Sequence, residues 1–201
     1  MLSRALLVGL GNPGPQYKYT RHNVGFTVLD RMALRYGLDF VPHRKFPQYE
    51  SVSGFIRGTS AILLKPFTYM NRSGDAVSQV LNFYKISLEK LLVIHDDLDL
   101  PLGGLKFVRG GGTGGHKGIK SIIDSIGSKE FLRLKIGIER PLSSVPIDKY
   151  VLSPFLLEES KVLDNVIDIC IDSLVCFIEK GAEAAMNEFN GKMKTKYVKD
   201  L

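Results

Sequence analysis

The feature that most constrains this chain is the alternation of short apolar runs with helix-period stretches, divided by glycine or proline. Ala5–Leu10 is apolar almost throughout and is followed at once by Gly11, which predicts a short strand buried on both faces. Asn23–Tyr36 carries Phe26, Leu29 and Ala33 on one helical face and stops at Gly37. Tyr49–Arg57 and Ser60–Leu64 predict neighbouring strands joined at Gly58, and Gly74–Tyr84 predicts a helix with Val77, Val80, Leu81 and Tyr84 at helical spacing. Leu91–His95 predicts another buried strand, and Leu105–Val108 a short one ahead of "RGGGTGGHKG". Ile119–Ile126 then predicts a helix and Leu132–Ile138 a strand. After Pro146 the pattern changes: Leu163, Val166, Ile167, Cys170, Leu174, Phe177 and Ile178 mark the stripe of a long helix ending at Gly181, with a short helix over Ala182–Phe189.

Strands intermixed with helices predict an α/β fold. The expected architecture is a single domain over residues 1–201. It has a twisted, mostly parallel mixed sheet flanked by helices, a C-terminal helical segment and a basic tail over about 191–201. There is no internal repeat. A chain of 201 residues hides roughly 70% of its unfolded surface, so neither a metal nor a disulfide is needed to staple it. Cys170 and Cys176 fall in one helix, where six residues of rise put their Cα atoms ~9 Å apart, beyond bridging range; core thiols are expected. No apolar run approaches the ~18 residues of a membrane span, and the expected compartment is the cytoplasm.

The formal net charge of +6 suits contact with a polyanion or a solvated surface equally well. The positive residues group in two places. Lys192, Lys194, Lys196 and Lys199 crowd the tail, and Lys106, Arg109, Lys117 and Lys120 surround the glycine run.

Gly9-Leu10-Gly11-Asn12-Pro13-Gly14 matches the dinucleotide fingerprint letter for letter. A pyrophosphate cradle also needs a helix opening at the second or third glycine and an acidic residue closing the next strand. Here Pro13 and Pro15 flank Gly14, the helical pattern starts only near Asn23, and Asp30 falls inside it. The fingerprint therefore predicts no nucleotide site. Gly115-His116-Lys117 is not a Walker sequence, and no Gly-x-Ser-x-Gly elbow exists. What remains near the end of the first strand is a polar pair, Asn12 and His22. His22 alone reads either as a loop or capping histidine or as a base. Asp96, Asp97 and Asp99 read either as separate surface carboxylates or as a metal cluster, against which Pro101 turns the chain so that their side chains diverge.

Four segments, "GLGNPGPQYKYTRHNVG", "KPFTYMNRSG", "HDDLDLPLG" and "GGGTGGHKGIKS", stand in this order. Together they closely resemble bacterial peptidyl-tRNA hydrolases, from Leu7 through Glu139 and weakly into the C-terminal helix. The resemblance implies an enzyme that cleaves the ester between a peptide and the terminal ribose of tRNA without cofactor or metal. It also implies a monomer with no obligate protein partner, and a segment near Pro141–Leu157 that covers the cleft. It assigns His22 as the base that activates water and Asp96 as the carboxylate that orients it. Free histidine titrates near ~6.5, which suits it to take a proton at neutral pH. Asn71 is implied to hold the peptide and polarise the scissile carbonyl, and Asn12 to sense an acylated α-nitrogen. Tyr17, Tyr69 and Met70 resemble pocket-wall residues, and His116 and Lys117 resemble substrate contacts.

The chain departs from that pattern in two places. Lys117 replaces an asparagine and, lacking an acceptor, is expected to contact phosphate instead. In the basic clamp for the tRNA 5′ phosphate Lys106 is present, but Val108 stands where a second lysine is usual. Arg109 comes one residue late, a slip that turns a strand side chain to the other face. Lys135 replaces an arginine, keeping the charge without the bidentate fork.

Overall fold

The structure is a computed structural model describing residues 4–43, 46–141 and 144–190. The lysines of the tail, Lys192 to Lys199, lie outside the described residues.

Seven strands form one sheet: β1 (Ala5–Gly9), β2 (Val41–His43), β3 (Phe46–Ile56), β4 (Thr59–Pro66), β5 (Leu91–Asp97), β6 (Leu105–Arg109) and β7 (Leu132–Gly137). Their spatial order is β2-β3-β4-β1-β5-β7-β6. The central strands β4, β1, β5 and β7 run parallel, and the antiparallel pairings β2–β3, β3–β4 and β6–β7 lie at the two edges. The parallel centre follows from composition. Strand β1 is buried at every position, as a strand covered by helices on both faces must be.

Alternate residues of the central strands feed two cores. Leu7, Leu63, Leu92, Ile94, Leu134 and Ile136 pack with α1 (Val24–Arg35), α5 (Leu157–Lys180) and α6 (Ala182–Phe189). Leu6, Val8, Ile62, Leu64, Leu91 and Val93 pack with α2 (Ser73–Tyr84) and α3 (Lys117–Ile126) on the other side. Cys170 and Cys176 are free and buried on α5, as their spacing predicts. Burial raises the Cys170 thiol far above its ordinary range, so it is inert. At the open edge, Asn190 closes β6 by accepting from the Phe107 N–H and donating to its carbonyl, a side-chain substitute for another strand.

The glycines of the fingerprint have a packing use. A Cβ on Gly9 would lie 2.3 Å from the Gly25 carbonyl oxygen, and one on Gly25 would lie 2.4 Å from the Leu10 nitrogen. The start of α1 therefore presses directly on the end of β1 and carries the preceding turn, Arg21–Asn23, to the end of the sheet. Only a single 3₁₀ turn, Pro15–Tyr17, follows Gly14, and the first α-helix begins at Val24, beyond the glycines of the fingerprint.

Two elements go beyond the sequence pattern. Strand β2 is a three-residue edge strand containing Pro42, and α4 (Ile147–Val151) is a five-residue helix. Both are too short to display a period and form because a neighbour receives them. Among the described residues no helix is long and apolar enough to cross a membrane.

Candidate active site

The site is at the C-terminal ends of β1 and β5, where α/β sheets collect loops. It forms around a buried carboxylate. Asp96 closes β5 and is 3% exposed. His22 reaches it from the turn before α1: its Nδ1 is 2.8 Å from Asp96 Oδ1 and 3.0 Å from Oδ2. A carboxylate opposite Nδ1 makes that nitrogen the proton carrier, so the lone pair of His22 is on Nε2.

His116 is the second partner. It caps α3: its Nδ1 accepts from the backbone N–H groups of Gly118 and Ile119, at 3.1 and 3.3 Å. A nitrogen facing two donors carries no proton, so Nε2 does, and it donates to Asp96 Oδ1 at 3.0 Å. Burial alone would raise Asp96. The electrostatic pull of the His22 and His116 N–H groups and the hydrogen bonds they donate outweigh it and hold the carboxyl well below the usual carboxylate range.

His95 completes a set of three imidazoles, with its ring centroid 4.8 Å from that of His116. Its Nδ1 donates to the Asp96 backbone carbonyl at 2.6 Å. Burial first, and the neighbouring His116 next, lower it well below the ordinary histidine range, so it is neutral.

His22, Asp96 and His116 bring one ligand atom each within 4.8 Å of one another. They do not suit a metal. Coordination through His116 Nε2 would move its proton to Nδ1, against two backbone donors that have no other partner. The three aspartates expected to diverge do so: Asp96 takes the histidines, Asp97 takes Lys135 at 2.5 Å, and Asp99 takes Arg140 at 2.7 Å.

Asn12 and Asn71 are positioned differently. Asn12 is 7% exposed. Asn23 grips its backbone through both amide ends, at 2.9 Å each, and the Asn12 side-chain oxygen accepts from the Met70 N–H at 2.8 Å. Its amide NH₂ has no partner among the described residues and is left to donate. Asn71 is exposed in the turn Met70–Arg72. Tyr69 is exposed beside it, and Tyr17 meets Tyr69 edge to face with centroids 6.5 Å apart. Met70 itself is buried in the core under α3, so it acts through its backbone rather than as a wall. His116 lines the cleft, while both its ring nitrogens are engaged within the chain, Nδ1 by α3 and Nε2 by Asp96.

On the other side of His22 opens a cleft of about 190 Å³, lined among others by His95, Gly115, Lys117, Arg140, Asp148 and Val151. Lys117 Nζ reaches Asp148 of α4 at 3.3 Å across it, both side chains largely exposed. The far side of α4 is held by Arg21, buried and facing the rings of Tyr150 and Phe155. Arg21 donates to Ser153 Oγ at 2.8 Å, to the carbonyls of Ser153 and Pro154, and to Glu159 at 2.5 Å.

The glycine run is also held from beneath. Arg133 is 1% exposed in β7 and donates to the carbonyls of Gly111 and Gly112 at 2.8 and 2.7 Å. Lys106, Lys135 and His95 share one row of the sheet. Arg109 pairs with Leu132 at the opposite end of the strands and interacts with Glu89, so it faces away from that row, as the one-residue slip predicts.

Arg21, Asn23, His95, Arg133 and Asp148 are the residues that sequence reasoning missed. Arg133 alternates with Lys135, opposite the apolar Leu132, Leu134 and Ile136, so the strand pattern alone did not mark it as buried. Arg21 and Asn23 flank His22 directly. Nothing local marks Asp148.

A family model described as "Peptidyl-tRNA hydrolase" matches residues 6–197. A protein named peptidyl-tRNA hydrolase from a Synechococcus species is 47% identical over 189 residues, covering 94% of this chain and 84% of its own. One from Thermosynechococcus vestitus is 46% identical over 200 residues, covering 95% and 96%. The crystal structure of peptidyl-tRNA hydrolase from Acinetobacter baumannii superposes with a TM-score of 0.88 at 38% identity, over 95% of this chain and 97% of that one.

Proposed function

This chain belongs to the peptidyl-tRNA hydrolase family and hydrolyses peptidyl-tRNA, and we propose that His22 is its general base, Asp96 its orienting carboxylate, and Asn71 and Asn12 its substrate amides. The observation that carries the assignment is the His22–Asp96 hydrogen bond, which leaves Nε2 as the basic nitrogen beside the cleft.

The chemistry follows from that tautomer. Water loses a proton to Nε2 as its oxygen bonds to the ester carbonyl carbon, and Asp96 stabilises the imidazolium that forms. Asn71, which no described residue engages, donates to the carbonyl oxygen as negative charge gathers there. The carbon–oxygen bond to the ribose then breaks, and the imidazolium returns its proton to the ribose oxygen. The products are a peptide acid and a tRNA free for reuse.

Asn12 supplies selectivity. Its oxygen already accepts from Met70 and its NH₂ is free among the described residues, so it offers a donor, and it recognises the acyl carbonyl beyond the α-nitrogen. A free aminoacyl-tRNA has an ammonium there and no acceptor. A site built round a hydrogen bond rejects such a substrate strongly. Tyr17 and Tyr69 wall the peptide side. Lys117, Lys106 and Lys135 supply positive charge to phosphates on the tRNA side; Lys135 does so while anchored to Asp97. The enzyme acts as a cytoplasmic monomer, with the α4 region covering the tRNA side of the cleft.

The test is release of N-acetyl-amino acid from N-acetyl-aminoacyl-tRNA, beside the unblocked form, for wild type and His22→Ala. Wild type is expected to cleave only the blocked substrate, and His22→Ala to lose about 10²–10⁴-fold in kcat. Wild-type rates in His22→Ala would refute the base. RNA binding without any cleavage would make the chain a tRNA-binding relative.

A further inference from the structure

The two histidines that contact Asp96 use the same oxygen. His22 Nδ1 is 2.8 Å from Oδ1 and His116 Nε2 is 3.0 Å from it. The His116 proton cannot migrate, because Nδ1 is committed to the N-terminus of α3. His116 is therefore a fixed donor, and a carboxylate oxygen shared with a fixed donor has less of its charge to give to a second one.

We propose that His116 is a positioning residue that draws on Asp96 Oδ1 and so lowers the pH at which His22 becomes competent as a base. The inference rests on the reading of His22 as that base. It gives a reason for a histidine at a helix cap, where Ser, Thr, Asp or Asn would serve the helix better. None of those shorter side chains would span from the cap to Asp96.

The other charged groups around His22 pair with one another. Asp97 on β5 faces Lys135. Arg140, following β7, faces Asp99. Lys117 on α3 faces Asp148 on α4. Arg21, next to His22 in the chain, faces Glu159 on α5. His95 on β5 is kept neutral by its burial. Asp96 is thus the unbalanced charge at His22 Nδ1, and His116 is its other ligand.

The test separates cap from donor. His116→Asn retains a good cap for Gly118 and Ile119 but is too short to reach Asp96, whereas His116→Ala loses both functions. The pH–rate profile of each, normalised to its own plateau, is compared with wild type on N-acetyl-aminoacyl-tRNA. Titration of the His22 ring is followed in parallel by nitrogen NMR of histidine-labelled protein, which reads the ring whether or not the variant turns over.

In both variants the acid limb and the His22 titration are expected to move up by about half to one pH unit. His116→Asn is expected to melt near wild type and His116→Ala lower. In the native enzyme the His116 ring should carry its proton on Nε2 from about pH 6 to 8. Unshifted His22 titrations in both variants, or a native His116 with its proton on Nδ1, would overturn the proposal. Should His22→Ala retain full activity, the base assignment fails instead, and the NMR titration still decides the coupling between the two rings.

Discussion

The inner wall of the cleft and its rim are built on opposite principles. Inside, Asp96 takes two histidines, Asn23 grips Asn12, and Arg21 donates to four acceptors between the end of α4 and the start of α5. At the rim, Asn71 and Tyr69 stand exposed, and Lys117 and Asp148 share a 3.3 Å contact in open solvent. Buried polar groups must find partners within the chain or they destabilise it. Groups meant for substrate must keep a polar atom free, or hold only a weak partner in solvent that substrate can displace. On the proposed assignment the base is aimed by the interior, while Asn71 and Tyr69 wait at the surface.

Breaking the interior should cost most. Asp96→Asn is expected to lower kcat by about 10²–10⁴-fold with KM nearly unchanged, because an amide can offer His22 a donor and stabilises the imidazolium poorly. Single-turnover rates at saturating substrate would measure this. A change in KM alone would shift Asp96 to the binding rim.

Arg21→Met should destabilise the fold by about 3–5 kcal/mol, since it strands Glu159 and the Ser153 and Pro154 carbonyls. Replacing both charges, as Arg21→Met with Glu159→Leu, should recover part of that loss. Urea midpoints for the single and double variants provide the check. No recovery would mean that the carbonyl contacts, rather than the ion pair, hold this corner.

Acid should loosen the interior before the rim. Asp96 is depressed by its histidines, so the stability it contributes is fully present above the ordinary carboxylate pKa. It is lost as pH falls through the lower folded value. The stability gap between wild type and Asp96→Asn should therefore narrow as pH drops from about 5 toward 2. A constant gap would indicate that the carboxylate is not ionised by these contacts.

The rim should respond least. An exposed pair such as Lys117–Asp148 contributes about 0–1 kcal/mol. Lys117→Asn should change kcat/KM by only about two- to threefold at low salt and flatten its salt dependence by about one phosphate contact. A loss of tenfold or more would place Lys117 with the interior groups.

Most of the fold was legible in the chain. The strands Ala5–Leu10, Leu91–His95 and Leu132–Ile138 were visible as apolar runs, and the long C-terminal helix as a stripe ending at Gly181. Strand β2 and α4 were not, because three and five residues cannot display a period. In the candidate site, the four segments singled out His22, Asp96, Asn12 and Asn71, of which the fold brings His22 and Asp96 into a hydrogen bond. The inward turn of His116 and Met70 was not legible, nor was the latch formed by Arg21, because each depends on what the fold brings opposite.

The sequence by itself determined the elements and the set of chemical groups, since apolar periodicity and turn residues act between near neighbours. Only the tertiary structure decided which atoms of those groups remain free. His22 and Asp96 lie 74 positions apart, and the free nitrogen of His22 follows from a hydrogen bond that exists only once β1 and β5 are side by side. The same is true of Asn12, made a donor by a backbone N–H 58 positions away. Side-chain type is a local property, whereas proton position is set by the partner, and long-range packing supplies the partner.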